Sequence, residues 1–407
     1  LPDSELDDVD ERLESDLAFA GLIGMIDPPR EEATSAVARA RHAGIRPIMI
    51  TGDHPRTASV IARELGVTDD DRVVTGGELA KLDDSALDRV VASVSVYARV
   101  DPEHKLRIVK SLQRQGAIVA MTGDGVNDAP ALKTADIGIA MGITGTDVSK
   151  GAADIVLADD NFATIVAAVE EGRAIFANIR KFLRYLLSSN IGEVLTMFLG
   201  VLLAHLLGLP AERGTIVLPL LATQILWVNL VTDGAPALAL GLDTSDATSM
   251  DRGPRPSGER VITGRMWSSI AFVGIAMAAA TLLVLDASLP GGLIQGTGTL
   301  RYAQTMSFTT LVLAQLLNVF MARSDERSAL TGLFTNRWLW GAVLLSLALQ
   351  LVVIYVPALQ RAFGTMALSA TDWVRCAVAA SAVLWVSEAV KLVRRGMTGG
   401  QEDKRTG

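Results

Sequence analysis

The sequence contains a single cysteine, Cys376, few aromatic residues and only four histidines among its 407 residues. One thiol excludes an internal disulfide framework and provides no set of thiolates for a soft metal. The formal net charge of -8 offers no excess of basic residues, so we expect no nucleic-acid partner. No internal repeat of solenoid length is present.

Long apolar runs are confined to the C-terminal part of the chain. Half of all residues are hydrophobic and one fifth are charged. Up to about residue 172, short apolar and charged segments alternate as in globular α/β domains, whereas longer apolar runs follow. We therefore predict a soluble domain over 17–172, a membrane domain over 173–397 and a cytoplasmic tail over 398–407. The chain begins at Leu1 in an acidic stretch, and we expect a fragment of a longer protein.

The soluble part repeats a pattern of apolar strand, polar loop and helix. This pattern predicts an α/β doubly wound parallel sheet, in which ligands lie beyond the C-terminal ends of the strands. The predicted strands lie at 17–26, 45–50, 117–121, 137–140 and 154–158, and the predicted helices at 30–43, 55–65 and 102–115.

Six apolar runs are each close to the length that spans a bilayer, which predicts an all-α membrane domain of six transmembrane helices. The connections at 241–265 and 322–337 carry seven arginines, whereas the alternate loops carry only Arg213, Arg301 and Arg361. The positive-inside rule then places the soluble domain and both chain ends in the cytoplasm, and we expect a multi-pass protein of the plasma membrane. The predicted spans are approximately 182–207, 216–240, 266–286, 303–321, 338–358 and 373–393.

Two carboxylates and two glycines follow the predicted strand at 117–121. Asp124 and Asp128 are hard oxygen ligands, spaced to face one Mg²⁺ ion from a loop and a first helical turn. The neighbouring Gly123 and Gly125 allow backbone amides to approach phosphate oxygens. The run TGDGVNDAPALK, residues 122–133, is specific enough to predict a phosphoryl-transfer site.

Other polar residues are expected at the same edge of the sheet. Lys105 can neutralise charge on a transferring phosphoryl group, and Thr51 and Asn127 can donate hydrogen bonds to its oxygens. Thr51 begins the turn Thr51-Gly52-Asp53 after the strand at 45–50. A TGD turn or a lysine on an amphipathic helix, taken alone, is commonly structural.

Two of the predicted spans carry polar residues at depth. An ionisable residue at the centre of a span costs about 2.5–3.5 kcal/mol on insertion scales, so it indicates a function. Asn190 and Glu193 share one helix face, and Asn229, Thr232 and Asp233 share another. Five oxygen-bearing side chains with two carboxylates suit Ca²⁺ better than a soft metal. The alternative is that these residues hold helices together through hydrogen bonds.

Other residues in and near the spans are interpreted from their positions. Gly234 and Pro236 follow the second polar set, so we predict that the helix unwinds there and frees backbone carbonyls. Gln315 in the fourth span is a further candidate cation ligand. Asp286 and Glu388 lie near span ends, and we interpret them as solvated.

Four segments of the soluble part resemble, in order and spacing, the phosphorylation domain of P-type ATPases, which belongs to the haloacid dehalogenase superfamily. The resemblance implies that Asp124 holds Mg²⁺, that Lys105 and Thr51 contact the phosphoryl group, and that Asn127 and Asp128 complete the network. It also implies Mg²⁺ and ATP as cofactors. The four segments are DPPR (27–30), MITGD (49–53), DPEHK (101–105) and 121–133.

The membrane part resembles the type II, calcium-pump-like branch of that family. SSNIGEV (188–194) and WVNLVTDGAPALALG (227–241) are similar to the fifth and sixth helices of these pumps, and the segment 254–267 is also calcium-pump-like. Gln315 stands where two-site calcium pumps use an acid, which favours one ion per cycle. No Cys-Pro-Cys pair is present, which disfavours the heavy-metal branch.

The sequence departs from the family in what it lacks. There is no DKTGT segment with the nucleophilic aspartate, so the incomplete phosphorylation domain is not expected to hydrolyse ATP alone, and residues 1–16 resemble the end of a nucleotide domain or hinge. We expect its partner to be the missing N-terminal part of the same pump, with the bilayer and the transported cation. The alternatives are another type II ion (Na⁺, K⁺ or Mn²⁺), a truncated remnant that regulates a pump, and a membrane-anchored phosphatase.

Overall fold

The computed structural model describes residues 18–21, 23, 29–209, 217–243, 248–256, 258–324, 329 and 332–402, with the backbone alone for 392–402. These residues form two compact units. The first extends to Ala163, and the second begins at Thr164 and includes the short segment His42–Ile45. The predicted segment 1–16, part of the DPPR motif, Arg213 and Arg327 lie outside the described residues.

The first unit contains two separate three-stranded parallel sheets. In one sheet the central strand pairs Ile50 and Val74 with Tyr97, and in the other the central strand pairs Thr122 with Ile139. The strand orders are β1-β3-β2 and β4-β5-β6. The strands are β1 (Met49–Ile50), β2 (Val74–Thr75), β3 (Val96–Ala98), β4 (Ala120–Gly123), β5 (Ile137–Met141) and β6 (Ile155–Leu157).

The parallel pairing confirms the predicted parallel-sheet architecture, but the sheet is in two parts. Among the described strands, β1 pairs only with β3 and β4 pairs only with β5. Residues 18–21 and 23, in the predicted strand at 17–26, are not in a strand, and the rest of that segment lies outside the described residues. The strands β2 and β3, of two and three residues, were not predicted.

Seven α-helices and one 3-10 helix, Val126–Asp128, are described in the part of the chain before Asp154. The helices α2 and α5 begin with proline, whose fixed φ suits a first helical turn. Thr75 and Glu78 form a reciprocal capping box at α3. The bounds are α1 (Glu31–His42), α2 (Pro55–Glu64), α3 (Gly76–Leu79), α4 (Asp84–Ser93), α5 (Pro102–Arg114), α6 (Ala129–Thr134) and α7 (Asp147–Ala152).

The second unit is helical. Its bounds, with a π-helical turn at Val228–Thr232, are α8 (Phe162–Leu202), α9 (Ala222–Trp227), α10 (Gly234–Gly241), α11 (Gly264–Asp286), α12 (Leu300–Met321), α13 (Arg337–Tyr355), α14 (Pro357–Phe363) and α15 (Ala370–Glu402). Four described helices are long and apolar enough to cross a membrane: α8, α11, α13 and α15 over Ala370–Lys391. The predicted count of six is therefore not confirmed.

The other two predicted spans differ from simple apolar helices. The run at 216–240 is divided into α9, the π-helical turn and α10, and the N–H of Asp233 donates to the carbonyl of Val228 at 3.0 Å. The irregular turn therefore lies just before Gly234 rather than at Gly234 and Pro236 as predicted. Pro236 lies in the first turn of α10, where its missing N–H is not needed.

Helix α12 is the most enclosed helix of this unit, and it packs against α11 and α15. Its hydroxyl groups donate to carbonyls one turn earlier in the same helix, as Thr309 does to Thr305 and Thr310 to Met306 at 2.8 and 2.9 Å. These polar side chains are thereby satisfied without water. These polar side chains also make the mean hydropathy of α12 lower than that of a purely apolar span.

Asp286 is not solvated, so its interpretation was wrong, and Glu388 is only partly exposed. Asp286 is 1% exposed, and its carboxylate accepts the N–H groups of Leu293 and Ile294 at 2.8 Å each. Glu388 accepts the N–H of Ala329 and the ammonium of Lys391, both at 3.0 Å. Residues from the adjacent loops and helix turns satisfy both carboxylates.

Asp160 orders the loop that follows β5. Its carboxylate accepts the N–H groups of Gly142, Ile143 and Thr144 at 2.6, 3.0 and 2.8 Å. The hydrogen bond from Ile143, together with those from Thr144 and Gly142, lowers the pKa of this carboxyl group to about 2.

We predict that Asp160→Asn weakens this loop at neutral pH, because the pKa of the native carboxyl group is lower when it is folded. The stabilisation is present above the ordinary pKa of 3.8 and is lost as the pH falls towards about 2. Hydrogen exchange of the amides of residues 142–144 should therefore accelerate in the variant at pH 7 and converge with the wild type near pH 2. The exposed control Glu64→Gln should not change these amides, and equal protection at pH 7 would contradict the assignment.

Candidate functional site

The end of β1 forms one half of the candidate phosphoryl-transfer site. The N–H of Thr51 donates to the carbonyl of Tyr97 at 2.9 Å, so the main chain stays attached to β3 beyond the strand. Its hydroxyl donates to the carboxylate of Asp53 at 2.8 Å and accepts the N–H of Asp53 at 3.1 Å. Gly52 and Asp53 are exposed. This closed turn leaves the Thr51 hydroxyl near the surface, where it can reorient towards an oxyanion.

The end of β4 brings together two of the predicted residues, Lys105 and Asp128. The ammonium of Lys105 donates to the Asp128 carboxylate at 2.6 Å, and the N–H of Gly125 donates to the same carboxylate at 3.3 Å. The Asp128 side chain is 6% exposed and that of Lys105 is 20% exposed. A buried carboxylate is thus held by a cation that belongs to the first turns of α5.

Asp124 is fixed through its main chain and presents its side chain to solvent. Its carbonyl accepts the N–H of Thr146 and the hydroxyl of Ser149, both at 2.9 Å. Asp124 and Asn127 are exposed. Thr146 and Ser149 were missed in the sequence, although the helix-capping pattern at Thr146 could have indicated them.

The arrangement at β4 fits a Mg²⁺ ion. Mg²⁺ commonly uses one or two carboxylates and completes its octahedron with waters and phosphate oxygens. Asp124 offers an accessible carboxylate, and Asp128 lies four residues further on. Throughout the described ranges no group of three or more His, Cys, Asp or Glu side chains could hold a metal alone. The residues therefore suit an ion that arrives with a phosphate ligand.

Glu193 is the centre of the candidate cation site. It is 4% exposed and lies on α8. One carboxylate oxygen accepts the amide of Asn229 at 2.8 Å, and the other accepts the amide of Gln315 at 2.8 Å. The structure thus brings together three of the predicted ligands from α8, the π-helical turn and α12.

Asp233 and Thr232 form the second part of this site, and they are 2% and 1% exposed. The hydroxyl of the buried Tyr185 donates to the Asp233 carboxylate at 2.9 Å and to the carbonyl of Thr232 at 3.1 Å. Tyr185 and Glu193 both lie on α8, so this hydrogen bond joins Asp233 to the helix that carries Glu193. Throughout the described chain, the second Asp233 carboxylate oxygen, the Thr232 hydroxyl and the Gln315 carbonyl oxygen have no hydrogen-bond partner.

Asn190 is the one predicted ligand that the structure does not bring to the cluster. Its side chain is exposed, and no described hydrogen bond joins it to Glu193 or Asp233. Asn229 is also exposed, although its amide reaches Glu193. The cluster is therefore open on the side of these two asparagines.

Sequence reasoning missed three residues that support the cluster. Tyr185 lies eight residues before Glu193, on the same face of α8. Asn318 lies one turn after Gln315, and its amide donates to the hydroxyl of Ser188 at 2.7 Å. Helical spacing from the predicted ligands could have indicated all three.

Comparison with known proteins matches both parts of the chain. Residues 217–393 match the family model described as the C-terminus of cation transporting ATPases, and residues 2–136 match the family model of haloacid dehalogenase-like hydrolases.

The chain is also similar to calcium-transporting ATPases. It is 50% identical to the calcium-transporting ATPase of Bacillus subtilis over 89% of this chain and 39% of that protein. It is 44% identical to calcium-transporting ATPase 1 of Bacillus cereus over 95% of this chain and 44% of that protein. It is 42% identical to calcium-transporting ATPase 1 of Yarrowia lipolytica over 92% of this chain and 39% of that protein. The chain thus spans about two fifths of the length of these relatives.

The geometry of β4 generates a prediction about Gly123. A Cβ atom at this position would lie 2.5 Å from the Cβ of Asp128, whereas one at Gly151 would meet nothing within 4 Å. We expect Gly123→Ala to destabilise the chain by about 1–3 kcal/mol through overpacking. Thermal unfolding in detergent should show a lower midpoint for this variant and a midpoint close to wild type for Gly151→Ala. Equal midpoints for the two variants would contradict the packing described here.

Proposed function

The chain belongs to the P-type cation-transporting ATPases, and we propose that it forms the C-terminal part of an ATP-driven pump that moves Ca²⁺ across a membrane. The observation that carries the proposal is the pair of buried carboxylates, Glu193 and Asp233. Their described partners are two amides and a phenol, and within the described chain neither forms an ion pair.

Two such carboxylates are costly when no cation is present. Burial of an unpaired anion in a low-dielectric interior is unfavourable, and mutual repulsion adds to the cost. A bound cation would offset both effects and would also satisfy the unpaired oxygens of Thr232 and Gln315. Carboxylate, hydroxyl and amide oxygens are the ligands that Ca²⁺ prefers, and the names of the relatives support the same ion.

The donor set supports one ion per transport cycle. Asn229, Thr232, Asp233 and Glu193 would provide ligands, and Gln315 would add a neutral oxygen rather than a third carboxylate. On the open side we propose that Asn190 and a further membrane segment of the whole pump complete the site.

The apolar helices and the relatives indicate a multi-pass membrane protein. We propose six spans in the plasma membrane, with α9 to α10 forming the second and α12 the fourth. The enclosure of α12 by α11 and α15 supports α12 as a span. The span tolerates polar residues because their hydroxyls hydrogen-bond within the helix. The arginine distribution supports a cytoplasmic position for the soluble unit and both chain ends.

We propose that the soluble unit takes part in phosphoryl transfer from ATP to an aspartate supplied by the rest of the pump. Asp124 and Asp128 would hold Mg²⁺, which supplies charge neutralisation when bound. Lys105 would exchange its bond with Asp128 for one with a phosphoryl oxygen, and Thr51 and Asn127 would donate hydrogen bonds to the others. The turn formed with Gly52 and Asp53 would set the position of Thr51.

The two separate sheets support the proposal that the rest of the pump supplies the phosphorylated aspartate. The strands β1 and β4 each have one partner strand among the described residues, and both end at the candidate site. A further parallel strand, hydrogen-bonded to both edges, would produce one continuous sheet. Its C-terminal end would then lie between Thr51 and Asp124, where a nucleophilic carboxylate is required.

The cation assignment predicts the behaviour of Asp233→Asn and Glu193→Gln in the full-length pump. Each variant should raise the Ca²⁺ concentration for half-maximal phosphorylation from ATP by about tenfold or more, because carboxylate charge holds the ion. Phosphorylation by inorganic phosphate without Ca²⁺ should continue. Asp372→Asn is a matched control, since that carboxylate is 8% exposed but bonds to Tyr302 and Ser369 outside the cluster. Wild-type Ca²⁺ dependence in both variants would refute the site.

The phosphoryl-transfer assignment predicts a separate effect for Asp124→Ala. In the full-length pump this variant should lose Mg²⁺-dependent phosphoenzyme while retaining equilibrium binding of radioactive Ca²⁺, because the two sites use different residues. Asp147→Ala, which removes an exposed carboxylate from α7, is the control and should form phosphoenzyme normally. A normal phosphoenzyme level in Asp124→Ala would show that another group holds Mg²⁺.

A further inference from the structure

Another enclosed carboxylate lies outside the cation cluster, just beyond the end of α10. Asp243 is 6% exposed, and its carboxylate accepts the ammonium of Lys181 at 2.7 Å. Two guanidinium nitrogens of Arg323 and the amide of Asn336 also donate to it, each at 3.2 Å. The side chains of Lys181 and Arg323 are only 16% and 14% exposed.

These partners come from separate parts of the helical unit. Lys181 lies on α8, Arg323 follows α12, and Asn336 caps α13 by accepting the N–H of Leu339. The Asn336 amide also donates to the carbonyl of Ala239 in α10 at 3.0 Å. One carboxylate thus joins the end of α10 to three other segments of the unit.

Main-chain groups at the end of α10 are held to α8 as well. The amide of Asn178 donates to the carbonyl of Asp243 at 2.8 Å and to that of Gly241 at 3.2 Å. Lys181 also donates to the side-chain oxygen of Asn178 at 3.0 Å. Hydrogen bonds to the main chain therefore hold the end of α10 to α8, in addition to those made by the Asp243 carboxylate.

The charges of this cluster are unequal, because two cations share one carboxylate. Burial alone would raise the pKa of Asp243, but the hydrogen bonds from Lys181 and Arg323 outweigh it and hold the pKa below its ordinary value. Without the negative charge, two enclosed cations would face each other with no counter-ion between them. The charge balance at the contact between α8 and the end of α10 therefore depends on this one ionised group.

The same two helices carry the cation site. Lys181 precedes Glu193 by twelve residues on the continuous helix α8, which is about 18 Å at 1.5 Å per residue. Asp243 follows Asp233 by ten residues, and α10 occupies most of that interval. Because helices move as rigid elements, a shift of α10 against α8 at Asp243 would change the separation of Asp233 and Glu193.

We propose that Asp243 is a positioning residue for cation binding: its carboxylate clamps the end of α10 to Lys181 and Arg323, and so fixes the spacing between Asp233 and Glu193. This inference rests on the proposed cation site. Asp243 contributes no ligand to the ion and acts only through the two helices.

The test uses the full-length pump with Asp243→Asn, Lys181→Met and the double variant. Asp243→Asn should raise the Ca²⁺ concentration for half-maximal phosphorylation by about tenfold, while the maximal phosphoenzyme level stays near wild type. The double variant also removes one of the two opposed cations. Its Ca²⁺ concentration for half-maximal phosphorylation should therefore recover to within about threefold of that of Lys181→Met. Asp251→Asn, which changes an exposed carboxylate of the same unit, should behave as wild type.

Several outcomes would overturn the proposal. A folded Asp243→Asn pump with wild-type Ca²⁺ dependence would do so, as would a double variant that shows no recovery. If Asp243→Asn does not fold, Asp243→Glu and the double variant decide by the same measurement, and loss of folding in all three would indicate a role in the scaffold alone. A wild-type pump without Ca²⁺-dependent phosphorylation would instead refute the proposed function itself.

Discussion

The burial of Glu193 and Asp233 without a cationic side chain is the constraint on which the helical unit depends. Two carboxylates enclosed among helices require hydrogen-bond donors that bring no positive charge, and the structure supplies Asn229, Gln315 and Tyr185. Neutral donors lower the cost of burying the anions but do not cancel their charge. A site built in this way keeps a negative charge that a bound cation can balance, and a permanent lysine or arginine partner would remove that capacity.

The irregular features of the surrounding helices follow from this requirement. The π-helical turn shifts the hydrogen-bond pattern at Val228–Thr232, and Tyr185 and Ser346 donate to the carbonyls of Thr232 and Val231. Backbone groups that leave the regular helical pattern within an apolar region need such partners. Helix α12 is polar for a related reason, because it must present Gln315 to Glu193 while its hydroxyls are satisfied by its own carbonyls.

Local sequence patterns predicted the regular elements well and the long-range contacts poorly. The run at 266–286 became α11 over Gly264–Asp286, because an apolar helix of this length needs few specific partners. By contrast, the hydrogen-bond partners of Asp243 lie 62, 80 and 93 residues away, so no local pattern marks that residue. Asp286 was misread for a similar reason, since the residues that cover it lie in the loop after its helix. The unlike burial of Asn190 and Glu193 likewise depends on neighbouring helices rather than on spacing.

Two pairs of buried carboxylates in the chain differ in the charge of their hydrogen-bond partners. Asp128 and Asp243 are paired with lysine or arginine, so their charge is already balanced and a further cation would gain little from them alone. Glu193 and Asp233 have neutral partners and therefore keep their capacity to attract an ion. The difference lies in the partner rather than in the carboxylate or its depth, since Asp128, Glu193, Asp233 and Asp243 are all 2–6% exposed. Glu193 and Asp233 are thus candidate cation ligands because their donors are amides and a phenol, and Asp243 is a structural clamp because most of its donors are cations. Asp128 becomes available to Mg²⁺ only when Lys105 turns to a phosphoryl oxygen.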